Sequence, residues 1–316
     1  MDSIIVEDLT KYYGDLCAVD HVSFTVDAGE VFGYLGPNGA GKTTTIRMLT
    51  GLTRPSEGRA WVAGYDILNE TLEVKRRIGV VPEASNLYDE LTVWENLEFI
   101  SRLYHVPRAE RHRRIRELLK LFDLWDRRDS RFRRLSRGLK RRAVLAAALI
   151  NDPEILFLDE PTTGLDVVSA RSLRGLVNRL RGMGKTIFLT THYIEEADQL
   201  CDRVAIIVRG RIRAIDTPEN LKLRAGVKSI LEVELSDRPP GELLERLGGL
   251  GELEVEGRQL RVHTDDPQML LRILTEEVGR SGLTLLSLRS RSPTLEDAFI
   301  KLTGLSPEVM RREKGV

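Results

Sequence analysis

Along residues 1–217, short apolar runs alternate with longer amphipathic stretches, the rhythm of an α/β core with a partly parallel sheet. The runs Ile4–Val6, Val31–Leu35, Ile78–Val81, Ile155–Leu158, Thr186–Leu189 and Val204–Val208 read as strands. From Thr92 to Ile150 the apolar positions fall at helical spacing, first Leu97, Ile100, Leu103 and Tyr104, then Ile115, Leu118, Leu119 and Phe122. That spacing predicts an almost wholly helical subdomain, about 92–150, inserted in the sheet. After Thr217 and Pro218 the pattern changes. Leu231, Val233 and Leu235 alternate with glutamates, Leu243–Leu247 is helical, and Leu253 with Val255 and Leu260 with Val262 flank a Glu256-Gly257 turn. Met269–Val278 is helical again and Leu283–Leu288 is strand-like, so the order is β-α-β-β-α-β, the ferredoxin-like arrangement. A last helix is predicted to start at Thr294, whose hydroxyl and Asp297 make a capping-box pair.

The length of 316 residues suits two domains better than one. We place the first at 1–217, a small α+β second domain at 221–305, and a tail at 306–316. An apolar share of 41% and a charged share of 30% are ordinary for a globular chain. Lys plus Arg equals Asp plus Glu at 48 each, so no basic excess points to nucleic acid. Arginines do crowd between Arg102 and Arg142, and we read them as solvated helix faces. Cys17 and Cys201 lie in no metal or redox spacing, which fits a reducing compartment. Neither end carries a signal-peptide pattern. The longest unbroken apolar run, Ala143–Ile150, is far short of the roughly 20 residues of a bilayer-spanning helix. A membrane role would have to come through a partner.

Two motifs carry chemistry. Gly36, Pro37, Asn38, Gly39, Ala40, Gly41, Lys42 and Thr43, followed by Thr44, fit the phosphate-binding loop in full, between a strand and a helix. Glycines let consecutive N–H groups face a β-phosphate, the helix N-terminus adds its dipole, Lys42 neutralises β- and γ-oxygens, and Thr43 is suited to ligate Mg²⁺. The second is Ile155–Glu160, an apolar strand ending in two acids, which would emerge at the carboxyl edge of the sheet beside that loop. Asp159 would then hold Mg²⁺, directly or through water, and Glu160 would orient and polarise the attacking water.

Together these residues resemble the ABC ATPase family, and the resemblance covers the chain to about residue 215. Leu135-Ser136-Arg137-Gly138-Leu139 is similar to the family signature, Pro161–Asp166 to the loop that meets a partner subunit, and Thr191-His192 to the switch histidine. The resemblance implies ATP hydrolysis with Mg²⁺ and a homodimer in which Ser136 and Gly138 touch the γ-phosphate held by the other copy. His192 would contact that γ-phosphate and sense its loss. Tyr13, before Gly14, matches the aromatic that stacks on adenine, with Tyr12 as the alternative. From about Leu221 the chain resembles the C-terminal extension of ATPase subunits of prokaryotic exporters of drugs and antibiotics, most visibly in Pro293–Gly304. This implies a peripheral protein at the cytoplasmic face of the membrane, powering export through a separate polytopic permease, with an extension used for dimer contacts and regulation.

Two positions depart from the family pattern. Glu83 stands where a Mg²⁺-binding, channel-sensing glutamine usually follows Pro82, and Arg137 replaces the signature's first glycine. A carboxylate is an acceptable hard-oxygen ligand for Mg²⁺; the bland reading of Glu83 is a surface carboxylate in a loop. Arg137 either swings to the phosphate in trans or points away and stiffens its turn, and we expect the second. A different class of function, a soluble ATPase of this family acting on ribosomes or DNA, fits less well. Such relatives carry two ATPase units or long coiled coils, and this chain has one unit and no heptad insertion. A nucleotide-binding regulator with little turnover is disfavoured by Glu160 and His192.

Overall fold

The computed structural model describes residues 2–306; the tail expected over 306–316 lies outside the described residues from 307 onward. The chain divides between Pro218 and Glu219 into two compact units.

The first unit begins with β1 (Asp2–Tyr13) and β2 (Leu16–Asp27), an antiparallel hairpin that turns through Gly14 at φ 56°. With β3 (Val31–Leu35), α1 (Lys42–Leu49), β4 (Glu57–Val62) and β5 (Tyr65–Asp66) following, a four-stranded sheet forms in the order β2-β1-β4-β5. Only Ile4–Val6 of this sheet stands out in the sequence, and there are physical reasons. The pairing of β1 slips between Val6 and Leu9, where Asp8 takes φ 48°, so the period of two is broken partway along the strand. In β4 the first three residues are exposed and only Ala60 and Val62 are buried.

Next come α2 (Thr71–Arg77), β6 (Ile78–Val81), α3 (Val93–Leu103), α4 (Arg108–Leu121) and α5 (Arg137–Ala148). The core is completed by β7 (Ile155–Asp159), α6 (Val167–Gly182), β8 (Thr186–Thr191), α7 (Ile194–Leu200), β9 (Arg203–Val208) and β10 (Arg211–Asp216). The central sheet has six strands in the order β10-β9-β3-β8-β7-β6, all parallel except β10, which runs antiparallel to β9 at the edge. Every residue of β3 and β7 is buried, which is why these strands read as unbroken apolar runs. Phe24 of β2 stacks on Phe32 of β3 at 5.4 Å, and Phe188 of β8 joins Phe32 at 5.8 Å and Phe157 of β7 at 5.6 Å. These rings bind the two sheets into one core.

In the helical insertion α3 starts at a full capping box, Thr92 accepting from the Glu95 amide at 3.1 Å and Glu95 from the Thr92 amide at 2.8 Å. The insertion is less helical than the periodicity predicts. Between Phe122 and Ser136 there are only two single 3₁₀ turns, Trp125–Arg127 and Phe132–Arg134. Asp123 at φ 55° ends α4, and the buried Phe122, Leu124, Phe132 and Leu135 pin the connection to the core, so apolar anchors persist without a continuous helix. Among the described residues, no helix is long and apolar enough to cross a membrane.

The second unit is Glu219–Gly304. After α8 (Pro218–Arg224), which spans the boundary, come β11 (Ser229–Leu235), α9 (Gly241–Gly248), β12 (Glu252–Glu256), β13 (Gln259–Thr264), α10 (Pro267–Arg280), β14 (Leu285–Arg291) and α11 (Leu295–Thr303). The sheet order is β12-β13-β11-β14 and every pair is antiparallel, which is the ferredoxin-like topology. Leu231, Val233 and Leu235 pack with Leu243, Leu247, Leu270, Leu274 and Val278 from the two helices. The Thr294–Asp297 capping box is present, with bonds of 3.2 and 3.0 Å.

Candidate active site

Parallel pairing brings the carboxyl ends of β3, β7 and β8 to one edge, with Leu35 opposite Thr191 and Asp159 opposite Thr190. The segments that follow these strands therefore converge. Gly36–Gly41 turns into α1, with Gly39 at φ 79° and Gly41, the N-cap, at φ 103°. A Cβ on Gly36 would stand 2.2 Å from the Ile207 carbonyl oxygen, and one on Gly41 would stand 2.4 Å from that of Ala18, so glycine is required at both. No side chain caps α1 and no acid lies in its first turn, which leaves its amides and dipole to an anionic ligand. Ala40 is locked by bonds from its own amide to Pro37 and from the Gly210 amide to its carbonyl, at 3.1 and 3.0 Å.

Lys42, only 4% exposed, donates to the carbonyls of Gly36 at 2.7 Å and Pro37 at 3.1 Å and sits 3.1 Å from Glu160 Oε1. Burial pulls its pKa down and the Glu160 carboxylate opposes that pull. Asp159 Oδ1 accepts from Thr190 Oγ1 at 2.6 Å and Thr43 Oγ1 at 3.2 Å. Glu160 has φ 45°, a left-handed conformation that an L-residue holds only where its surroundings enforce it. Its amide donates to the Thr190 carbonyl and hydroxyl, both at 3.1 Å. Its Oε2 accepts from Thr163 Oγ1 at 3.1 Å and pairs with His192 Nδ1 at 3.0 Å. Burial alone would raise the Glu160 carboxyl, but the His192 bond and the Lys42 charge outweigh it and hold the pKa at about 2. In the chain without nucleotide Glu160 is thus held as an anion.

The structure brings Lys42, Thr43, Asp159, Glu160 and His192 into one bonded cluster. Glu83 follows β6 and Pro82, and its charge is felt at Lys42. Tyr12 and Tyr13 are both exposed at the tip of the β1–β2 hairpin, with Lys11 Nζ 5.2 Å from the Tyr13 ring centroid. Ser136 and Gly138 stand apart: among the described residues, no hydrogen bond joins them to the cluster. Ser136 caps α5 by accepting from the Leu139 amide at 3.4 Å, and a Cβ on Gly138 would come 2.6 Å from Ser169 Oγ.

Arg137 is the first residue of α5, and its Nη1 reaches the Gly164 carbonyl at 3.4 Å, a weak, exposed bond. Arg137→Gly is expected to leave ATP affinity unchanged and turnover equal to or above wild type. A fall in steady-state turnover of about tenfold, roughly 1.4 kcal/mol of transition-state stabilisation, would instead give Arg137 a direct part in the reaction.

Three residues of the site escape the sequence reading. Thr163 and Thr190 each bond a carboxylate, and neither stands out from other strand and loop threonines. Arg141 is only 8% exposed, against the expectation that the arginines between Arg102 and Arg142 form solvated faces. A signal for it exists. Arg141 shares a helical face with Val144 and Leu145, both buried, at the i+3 and i+4 spacing of a core stripe.

Residues 19–163 match the family model described as ABC transporter. A Nod factor export ATP-binding protein I of Ralstonia nicotianae is 40% identical over 300 residues, covering 95% of this chain and 93% of the relative. The protein of the same name from Rhizobium sp. (strain N33) is 40% identical over 308 residues, 97% of this chain and 98% of that one. Among solved structures, an ATP binding subunit of an ABC transporter matches with a TM-score of 0.64 at 33% identity, over 71% of this chain and 93% of the other. A cassette solved as a dimer in a post-hydrolysis state with ADP and Pi matches with a TM-score of 0.62 at 27% identity, over 68% of this chain and 98% of the other. With the phosphate loop, the paired acids and His192 assembled at one sheet edge, and relatives alike over nearly their whole length, this chain belongs to the ABC transporter family, as an ATP-binding, ATP-hydrolysing subunit.

Proposed function

We propose that two copies of this chain close over two ATP molecules and that the cycle of closing and hydrolysis drives export of a small molecule through a separate polytopic membrane subunit. One observation carries the reading: a cluster of the buried Lys42 and Glu160 with the half-buried His192 lies beside the uncapped amides of α1, while among the described residues Ser136 and Gly138, the signature residues, have no bond to it. A second copy supplying Ser136 and Gly138 completes the site. In it the amides of Gly39, Gly41, Lys42, Thr43 and Thr44 face the phosphates, those of Gly36 and Ala40 being spent on the Thr191 and Pro37 carbonyls, and Lys42 turns from the loop carbonyls to the β- and γ-oxygens. Tyr13, or its neighbour Tyr12, stacks on the adenine.

The oxygen donors present suit Mg²⁺. Thr43 and Asp159 lie 3.2 Å apart, and among the described residues no cluster of three or more metal-binding side chains competes with them. This fits an ion held by one or two protein groups and the substrate's own phosphates; Thr43 and Asp159 would hold it, with Glu83 as a further carboxylate. When bound, it neutralises charge on the β- and γ-phosphates. Glu160 orients the water that attacks the γ-phosphorus as the bond to ADP breaks. His192, bonded to Glu160, contacts the γ-phosphate and registers its departure.

Export is supported by the two Nod factor export relatives, which extend over the Glu219–Gly304 unit as well as the core. We assign that unit to dimer contacts and regulation, and the selection of the transported compound to the membrane subunit. The chain would then sit peripherally at the cytoplasmic face of the membrane. The test is purification of the tagged chain from detergent-solubilised membranes. A polytopic protein that co-purifies and raises ATP turnover supports the proposal. Co-purification with ribosomes or DNA and no membrane protein would favour the rival reading.

A further inference from the structure

Arg141 is a buried cation whose five N–H donors all end on main-chain carbonyls. Nε donates to Pro161 at 2.8 Å, Nη2 to Asp159 at 2.8 Å and Glu160 at 3.1 Å, and Nη1 to Pro82 and, at 3.3 Å, to Glu83. Among the described residues no carboxylate forms an ion pair with it. The guanidinium is therefore placed to fix backbone, not to neutralise a partner. Burial pushes its pKa down to about 10, against the pull of Asp159 and neighbouring acids, so it stays charged at neutral pH.

Three of the five acceptors are consecutive. In an extended strand successive carbonyls alternate in direction, so Asp159, Glu160 and Pro161 can aim at one cation only if the chain leaves strand geometry between them. The left-handed φ of Glu160 does this. Arg141 thus compensates the conformation that turns the Glu160 carboxylate towards Lys42 and His192. Its other arm holds the segment carrying Glu83, and its own helix, α5, is the one capped by Ser136.

We propose that Arg141 is a positioning residue for ATP hydrolysis: through five carbonyls it locks the backbone at Glu160 and at Glu83 to the helix that begins at Ser136. The inference rests on the reading of Glu160 as the residue that aims the attacking water. Arg141 couples the signature helix of one copy to that copy's own water-aiming carboxylate, since the two share one rigid planar group.

The test compares the full-length chain with Arg141→Gln, Arg141→Lys and Glu160→Gln, in steady-state turnover and in Mg-ATP affinity by calorimetry. Arg141→Gln is expected to keep its ATP Kd within about threefold while kcat falls at least about tenfold, an effect confined to the transition state. Arg141→Lys, with three donors instead of five, is expected to recover part of that loss. Turnover of Arg141→Gln within about twofold of wild type would overturn the inference. So would parallel loss of affinity, turnover and thermal stability with no recovery in the lysine variant, because a purely structural arginine behaves that way. Glu160→Gln separates the two layers. If it stalls while Arg141→Gln does not, only the role of Arg141 fails; if it turns over normally, the reading of Glu160 fails and takes this inference with it.

Discussion

Replacing Lys42 with alanine is expected to abolish ATP turnover and to weaken nucleotide binding measurably by calorimetry. Lys42 is the one side-chain cation bonded to the phosphate loop among the described residues, held by the Gly36 and Pro37 carbonyls, and all the loop's other contributions are neutral amides. Charge-assisted bonds are roughly twice as strong as neutral ones, and loss of the group that faces the transferred phosphoryl falls on the transition state. A fall in kcat of about a hundredfold or more is the expected scale for removing such a donor. The substitution also strips Glu160 of its cation at 3.1 Å, leaving Thr163 and His192 to hold the carboxylate. Wild-type turnover in this variant would refute the phosphate-loop assignment.

Glu160→Gln is expected to separate binding from chemistry. The amide has the size of the carboxylate and keeps an acceptor for Thr163; Lys42 loses its charged partner but keeps its bonds to the Gly36 and Pro37 carbonyls. The charge proposed to align the attacking water is gone. ATP affinity should stay near wild type while turnover drops by about a hundredfold or more, as expected when the group that positions the attacking water is lost. Unchanged turnover measured by phosphate release would remove Glu160 from its proposed role.

How far the chain could be read in advance depended on what each residue's neighbours were. The parallel strands β3, β6, β7, β8 and β9 announced themselves because a strand buried on both faces has few polar residues to break the run. The β-α-β-β-α-β order of the second unit was legible from weaker signals, chiefly the alternation of Leu231, Val233 and Leu235 with polar residues. The antiparallel sheet of β1, β2, β4 and β5 was largely missed. Slipped register near Asp8 and the exposed start of β4 hide its periodicity.

In the site, the phosphate loop and the two acids stood out because contiguous motifs carry their geometry with them. Arg141 did not, because its five partners come from segments far from it in sequence and from the backbone, which no residue type reveals. Ser136 and Gly138 are a different case. Their proposed ligand lies on another copy of the chain, so one chain's packing explains only the cap on α5 and the close approach to Ser169.

The claim that two copies complete each site is tested most directly by the mass of the Glu160→Gln chain in solution, by light scattering on a gel-filtered sample with and without Mg-ATP. The chain weighs 35.8 kDa. A species of that mass is expected without nucleotide and one of about twice that mass with Mg-ATP, because a site that binds but does not hydrolyse keeps the two copies closed. Ser136→Arg, built into the same variant, is expected to abolish the doubling while ATP still binds to the single chain. A Glu160→Gln protein that binds Mg-ATP and remains at monomer mass would contradict the claim.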